Sequence, residues 1–171
     1  MIFRRKISIG QYQSQTGWGV YVHNGATTIS VGTTPTKFTV DSLNSGTYEG
    51  QLPIDANGAS LWDSVNNKIT PISLDDSYDV RVSFEILSKT GTPTLLNYVL
   101  DIGDTGGITI PIFETTIQTD KTPPYTKGYS LPIFDRATFL ANKGQIFFST
   151  DTGTITIGAR SIFIKRDHKG F

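Results

Sequence analysis

Residues 77–86 alternate strictly between polar and apolar side chains, and no other feature of the chain constrains its fold as strongly. The apolar positions are Tyr78, Val80, Val82, Phe84 and Ile86. Successive side chains of a β-strand point to opposite faces of its sheet, so this run predicts a strand with one apolar and one polar face. Similar short runs recur between residues 62 and 155, which is typical of a scaffold or a binding module.

The composition narrows the class of protein further. The 171 residues include 15 basic and 15 acidic side chains, so the chain lacks the positive field of a general nucleic-acid-binding protein. No apolar run approaches the length that spans a bilayer, and the first residues lack the apolar stretch of a secretory signal. We therefore expect neither a nucleic-acid partner nor a membrane partner. With no cysteine, the chain has no disulfide and no thiolate metal site.

Turn-forming residues divide the chain into many short predicted strands. Residues 18–23 predict a first strand, and Asn24 and Gly25 predict a tight hairpin turn to a partner strand over residues 27–31. Residues 41–60 are rich in turn formers and predict a long surface loop. Further strands are predicted over residues 37–40, 68–72, 78–87, 95–102, 107–118, 128–134, 145–149, 154–157 and 159–165. Short strands at this spacing predict an antiparallel sandwich or barrel.

One segment departs from the strand pattern. Residues 135–144 predict a single helical turn within this all-β chain. Asp135 is expected to be its N-cap, and Gly144 is expected to end it.

The first 17 residues are expected to form an extended N-terminal arm, and residues 18–171 one folded domain. The arm carries a basic cluster followed by a polar, aperiodic stretch, and such a segment becomes ordered mainly against a partner. A loose terminus is the alternative interpretation. The residues assigned as anchors on this basis are Arg4, Arg5, Lys6 and Tyr12.

Several predicted strands are apolar on both faces, notably residues 146–148 and 162–164. A two-layer sandwich buries only one face of each strand, so the second face needs a cover. A neighbouring subunit is the simplest cover, and a loop of the same chain is the alternative. The residues assigned to a subunit interface are Phe147, Phe148, Ile162, Phe163 and Ile164.

The strongest catalytic candidate is the tripeptide Asp-Thr-Gly, which occurs at residues 104–106 and again at residues 151–153. Paired copies are typical of aspartic proteases, in which two carboxylates share one proton. The spacing leaves no room for two separate lobes, and Asp and Gly are ordinary turn residues. We expect both copies to be turns and the protein not to be an enzyme.

The remaining polar residues give no ligand or catalytic pattern. His23 and His168 are isolated in the sequence, and we expect both to be solvated. A Ser–His–Asp triad is compatible with the composition, but no nucleophile-elbow motif is present. Two acidic groups could supply oxygen ligands to calcium, but neither follows the spacing of a calcium loop, so no metal and no cofactor are expected. These groups are Asp75, Asp76 and Asp79, and Asp101 with Asp104.

A set of spaced motifs resembles a known group of proteins. The motifs are Leu-Trp-Asp-Ser-Val-Asn-Asn-Lys-Ile-Thr-Pro at 61–71, Asp-Ser-Tyr-Asp-Val-Arg-Val-Ser-Phe at 76–84, Leu-Asp-Ile-Gly at 100–103, Thr-Phe-Leu-Ala-Asn-Lys-Gly at 138–144, Ile-Thr-Ile at 155–157 and Ser-Ile-Phe-Ile-Lys-Arg at 161–166. Together they resemble small structural proteins of tailed bacteriophages, over about residues 18–166. The resemblance implies an antiparallel jelly-roll β-sandwich of the tumour-necrosis-factor (TNF) or C1q type and a homotrimer. It supplies no catalytic residues.

The resemblance and the residues together lead to one expected function. We expect a trimeric capsid decoration (cement) protein on the capsid surface of the virion, bound to the major capsid protein through the arm. The alternative is a receptor-binding head or tail fibre module that uses loop aromatics such as Tyr125 to contact a host-surface glycan. A carbohydrate-active enzyme would need two carboxylates facing each other across a groove, and the sequence does not indicate such a pair.

Overall fold

The computed structural model describes residues 16–41, 46–103, 109–117 and 121–169, and strands dominate these parts of the chain. The strands are β1 (Gly17–His23), β2 (Ile29–Val31), β3 (Thr36–Lys37), β4 (Tyr48–Gln51), β5 (Trp62–Asp63), β6 (Lys68–Ile69), β7 (Ser77–Thr90), β8 (Leu95–Asp101), β9 (Thr109–Thr116), β10 (Tyr125–Phe134), β11 (Gln145–Thr150) and β12 (Thr154–His168). A 3-10 helix covers Ile54–Ala56, and helix α1 covers Ala137–Asn142. No described helix is both long and apolar enough to cross a membrane.

Two antiparallel sheets form the layers of a sandwich. The larger sheet has the order β10-β7-β12-β1-β4, and β2 pairs with a further part of β12. The smaller sheet has the order β3-β11-β8-β9, and β5 and β6 form a separate hairpin. The described residues therefore confirm the predicted all-β antiparallel sandwich.

The core lies between the two sheets and is centred on aromatic rings. Phe148 lies at 4.3 Å from Tyr98, 5.0 Å from Phe38 and 5.3 Å from Phe84, between ring centroids. Phe84 comes from the larger sheet, whereas Tyr98 and Phe148 come from the smaller one. The alternating apolar residues of β7 are all buried, as their spacing predicts.

The last strand, β12, replaces the two strands predicted over residues 154–157 and 159–165. Ile157 pairs with Ile86 and Arg160 pairs with Phe84, so β12 carries one residue more than β7 between these pairs. Such a β-bulge shifts the alternation of side chains without ending the strand. Gly158 lies at this bulge. Because the alternation of apolar and polar side chains shifts there, the sequence predicted two strands where the structure has one.

The predicted hairpin between the first two strands is wrong. Gly25 has a positive φ of 89°, as a tight turn requires, but β2 pairs with β12 instead of β1. Strand β1 is already paired with β12 on one edge and with β4 on the other. The chain therefore continues past the end of β1 and pairs with the part of β12 that β1 does not reach.

Two further expectations need correction. The predicted loop over residues 41–60 contains β4 and the 3-10 helix, because the backbone of residues 48–51 pairs with the free edge of β1. Asp135 is not the N-cap of α1; Arg136 holds that position and makes no side-chain cap bond. The Asp135 N–H donates to the Asp76 carbonyl at 2.8 Å, and the Asp75 N–H donates to the Asp135 carbonyl at 3.2 Å. These bonds hold Asp135 inside the corner between β10 and α1, where its side chain is fully buried.

A buried ion cluster holds the end of β12 against the rest of the sandwich. The Arg166 side chain is completely buried and pairs with Asp55 and Asp76. Asp76 also accepts hydrogen bonds from the Tyr78 hydroxyl at 2.9 Å and the Ser73 N–H at 3.1 Å. The cluster therefore joins β12, the 3-10 helix and the β6–β7 connection, with its charges paired as burial requires.

Candidate interaction surface

The outer face of the larger sheet is the most distinctive surface of the described chain. Trp18 and Val20 of β1 point outward, because Gly19 and Tyr21, which alternate with them along the strand, face the core. Strand pairing sets Val20 beside Phe163 of β12. Side chains directly opposite on one face of paired strands are in contact range, so apolar groups from neighbouring strands meet here.

Three aromatic rings form a continuous patch on this face, which we call the aromatic patch (Trp18, Tyr48 and Phe163). The ring centroid of Trp18 lies 5.2 Å from that of Tyr48 and 5.8 Å from that of Phe163. Tyr48 remains 47% exposed, and the other two rings are half-buried. Clustered aromatic rings on the solvent side of a sheet are typical of contact surfaces, because such rings contribute strongly to binding.

Paired charges border the aromatic patch. The Arg81 guanidinium carbon lies 5.4 Å from the ring centroid of Phe163, and an Arg81 nitrogen lies 2.6 Å from a carboxylate oxygen of Asp79. The Ser130 hydroxyl donates to the other Asp79 oxygen at 2.5 Å. Burial raises the pKa of Asp79, but the hydrogen bonds from Arg81 and Ser130 outweigh it and hold this pKa below its usual range. Charges that are already paired cost less to remove from water than single ones.

The residues predicted for a subunit interface fall into two groups. Phe148, Ile162 and Ile164 lie in the core of the single chain and are at most 1% exposed, so their own chain already covers them. In the sequence, these residues stand directly beside other large apolar residues, and this pattern predicted strands that are apolar on both faces. Phe163 lies in the aromatic patch, and Phe147 lies half-buried on the outer face of the smaller sheet. One continuous patch cannot contain both of these rings.

Other predicted site residues lie elsewhere. The anchor residues of the arm lie outside the described residues, and β1 already begins at Gly17, one residue earlier than the predicted domain. The sequence reasoning missed Trp18, Tyr48 and Arg81. Alternation along residues 17–23 places Trp18, Val20 and Val22 on one face and is the signal that could have found the patch. Tyr48 gave no such signal, because it lay in a predicted loop.

The second Asp-Thr-Gly copy is a turn, as predicted. The Asp151 carboxylate accepts hydrogen bonds from the backbone N–H groups of Thr94 at 2.9 Å and Leu95 at 3.0 Å, and from the Thr94 hydroxyl. These bonds, that from the Thr94 hydroxyl foremost, lower the pKa of Asp151 well below its usual range. Gly153 has a φ of +63°, which the turn requires. The first copy, residues 104–106, lies outside the described residues.

The prediction that His23 is solvated is wrong, whereas His168 is exposed as predicted. The His23 ring is buried, with Nδ1 at 2.7 Å from the Asp41 carbonyl oxygen and Nε2 at 3.1 Å from the Thr27 hydroxyl oxygen. Arg160 is buried beside it and donates to the carbonyls of Thr27 and Gly158, each at 2.9 Å. These bonds tie the β1–β2 connection to β12, which is a structural role.

Described members of the two acidic groups have other partners, whereas Asp104 lies outside the described residues. Asp76 pairs with Arg166, and Asp79 pairs with Arg81. The carboxylate of Asp101 accepts from the N–H of Gly103 at 2.9 Å. Among the residues that the structure describes, no group of three or more His, Asp or Glu side chains is arranged to hold a metal ion.

Comparisons with known proteins define the class of fold. A scan against protein-family models finds no match, and a search of the curated proteins finds none either. Among solved structures, the chain is similar to Eiger TNF from S. frugiperda, with a TM-score of 0.54 and 10% sequence identity. The alignment covers 92% of this chain and 96% of that one. This likeness confirms the predicted fold, a TNF-like jelly roll.

Proposed function

We propose that this protein is a structural component that assembles as a homotrimer through the outer face of its larger sheet. The trimer serves as a capsid decoration (cement) protein on the surface of a tailed-phage virion. The observation that carries the proposal is the aromatic patch, which gives the solvent side of the sheet three adjoining rings. Covering such rings removes apolar surface from water, which stabilises association.

The chemistry of the patch suits contact with a second copy of the chain. Its border is neutral, since Arg81 pairs with Asp79, and Lys165 pairs with Asp167 at 2.6 Å. Like-charge repulsion between identical surfaces is therefore small. The motif resemblance to tailed-phage structural proteins adds the trimer as the expected closed assembly.

The virion role rests on the same motif resemblance. The partner is the major capsid protein, and the anchor is the arm with Arg4, Arg5, Lys6 and Tyr12, which lie outside the described residues. Three arms on one trimer would reach several capsid subunits at once. Such multivalent attachment converts weak single contacts into firm binding.

Deleting the arm tests the anchor and the assembly separately. The deletion removes residues 1–15 of the arm, because β1 begins at Gly17, and the remaining chain keeps all of β1. We expect it to remain a trimer and to lose attachment to capsids that lack the protein, measured by co-sedimentation with the full chain as control. Full occupancy by the truncated chain would contradict the anchor, and loss of the trimer would contradict the assignment of the interface.

A glycan-binding fibre module is the rival function. In the structure, Tyr125 is only 5% exposed, and the ammonium groups of Lys121 and Lys89 lie 5.1 Å and 5.7 Å from its ring centroid. Its ring face is therefore not free to stack on a sugar. This geometry counts against glycan binding by the Tyr125 ring. Hundreds of copies in each particle would support decoration, whereas a few dozen or fewer would support a fibre.

A further inference from the structure

An apolar pocket opens at one edge of the sandwich, between the edge strand of each sheet. Its volume is about 350 Å³, near the lower end of the range for small-molecule sites. The pocket lies between β9, β10, the end of β8 and helix α1. The lining residues are Leu100, Ile102, Ile110, Pro111, Pro132, Ile133, Phe134, Arg136 and Phe139.

The floor and the rim of this pocket differ in exposure. The floor consists of core residues that are nearly buried, among them Leu100, Ile133 and Phe139. On the rim, Ile110 is 45% exposed and Phe134 is 50% exposed. An apolar group that enters between these rim residues would contact the core directly, so the site favours an aliphatic or aromatic group.

A strand of a partner protein fits this edge poorly. Pro111 lies on β9 and Pro132 on β10, the edge strands of the two sheets. Proline has no backbone N–H to donate and is a common device that prevents strand addition. The geometry therefore favours the insertion of a chain-like apolar group over pairing with another strand.

Among the described residues that line the pocket, Arg136 is the only charged one. Its side chain is 72% exposed, and its guanidinium carbon lies 4.7 Å from the ring centroid of Phe134, on the rim. The nearest acidic partner, Asp75, is 3.4 Å away and is itself 45% exposed. An exposed ion pair of this length is weak, so an incoming carboxylate can replace Asp75. A guanidinium binds a carboxylate through two parallel hydrogen bonds.

We propose that this pocket binds an aliphatic monocarboxylate, with the hydrocarbon chain on the apolar floor and the carboxylate at Arg136. A single arginine matches a head group with a single negative charge. The site is separate from the aromatic patch and does not depend on the proposed assembly.

Titration calorimetry of the full chain with hexanoate, octanoate and decanoate, each below its micelle concentration, tests the proposal. We expect saturable binding that tightens by about fourfold for each added methylene until the pocket is full. Decanol supplies the same chain without the charge and is expected to bind at least about tenfold more weakly than decanoate.

Three variants separate the roles of the charges. Arg136→Gln is expected to abolish the preference for decanoate over decanol. Asp75→Asn removes the competing carboxylate and is expected to strengthen binding of decanoate but not of decanol; Asp75 has a φ of 63°, which asparagine tolerates. Lys121→Gln is the matched control, since it removes another cation that lies over an aromatic ring, at the opposite end of β10.

Several results would overturn the proposal. No saturable binding of any of the three acids, or affinity that does not change with chain length, would exclude the pocket as the site. If Arg136→Gln and Lys121→Gln have the same effect on the decanoate preference, Arg136 does not bind the carboxylate. Unfolding curves for each variant show whether it is folded. A folded variant that loses binding counts against the proposal if the proposal predicts that this variant still binds.

Discussion

Trp18 and Phe163 lie 5.8 Å apart, between ring centroids, on two directly paired strands, and neither ring belongs to the core of the sandwich. Both strands are internal strands of the larger sheet, so a position at the sheet edge does not explain why two aromatic rings lie on its solvent side. A covered interface gives this arrangement a physical reason, because it removes the rings from water. The proposed assembly depends on this pair more than on any other contact.

Removing the Phe163 ring should weaken assembly without unfolding the chain. Phe163→Ala is expected to cost about 2 kcal/mol or more at each subunit contact, as a central aromatic residue of an interface does. The matched control is Phe147→Ala, which removes the same ring from the outer face of the smaller sheet. Sedimentation velocity over a dilution series should show the first variant dissociating and the second remaining assembled. If both variants dissociate equally, the interface extends beyond the larger sheet.

Asp135 should make the stability fall as the pH rises. Burial, with smaller contributions from Asp76 and Asp75, raises the pKa of Asp135 from 3.8 to about 7, and neither of its carboxylate oxygens has a hydrogen-bond partner among the residues that the structure describes. Between these two pH values the folded chain keeps the proton that the unfolded chain has lost. The contribution of the neutral carboxyl group is therefore complete below pH 3.8 and is lost as the pH rises through about 7.

Asp135→Asn is the variant that checks this dependence. As the pH rises through this range, the free energy of unfolding is expected to fall by an amount on the order of 4 kcal/mol because Asp135 ionises. The amide cannot lose a proton, so the variant should be more stable than the natural chain above pH 7 and should lack this part of the pH dependence. Urea unfolding at several pH values measures both. If the free energy of unfolding depends on pH in the same way for both proteins, Asp135 is already ionised in the folded state.

The ion cluster of Arg166 should be far more important for stability than an exposed ion pair. Arg166→Met is expected to lower the free energy of unfolding by about 3–5 kcal/mol, because it leaves the buried Asp76 carboxylate without its cation. Arg136→Gln breaks an exposed pair with Asp75 and is expected to cost about 1 kcal/mol or less. Thermal or urea unfolding of the two variants gives the comparison. A similar small loss in both would mean that Asp76 is satisfied by Tyr78 and Ser73 alone.

Local patterns predicted the strands well and their partners less well. The alternation along residues 77–86 predicted that β7 is a strand and also which of its faces is buried, because side chains with a period of two point alternately to the two faces of a sheet. The partner of β2 depends on how far β1 and β4 extend, and no local pattern encodes this. The single residue inserted at Gly158 divided one strand into two predicted ones. Long-range geometry of this kind decides topology without a signal in the neighbouring residues.

The candidate surface was only partly predictable for the same reason. All five residues assigned to a subunit interface were treated alike, but Phe148, Ile162 and Ile164 are buried in the core, whereas Phe147 and Phe163 are half-buried. Which of two apolar faces is buried follows from the opposite sheet, not from the strand itself. Tyr48 joined the patch only because β4 pairs with β1.

The mass of the full chain in solution tests the central claim most directly. One chain has a mass of 18.7 kDa, so the homotrimer has a mass of about 56 kDa. Light scattering coupled to size-exclusion chromatography at micromolar concentration should give the trimer for the natural chain and a shift to the single-chain mass for Phe163→Ala on dilution. A single-chain mass for the natural chain at these concentrations would contradict assembly through the aromatic patch.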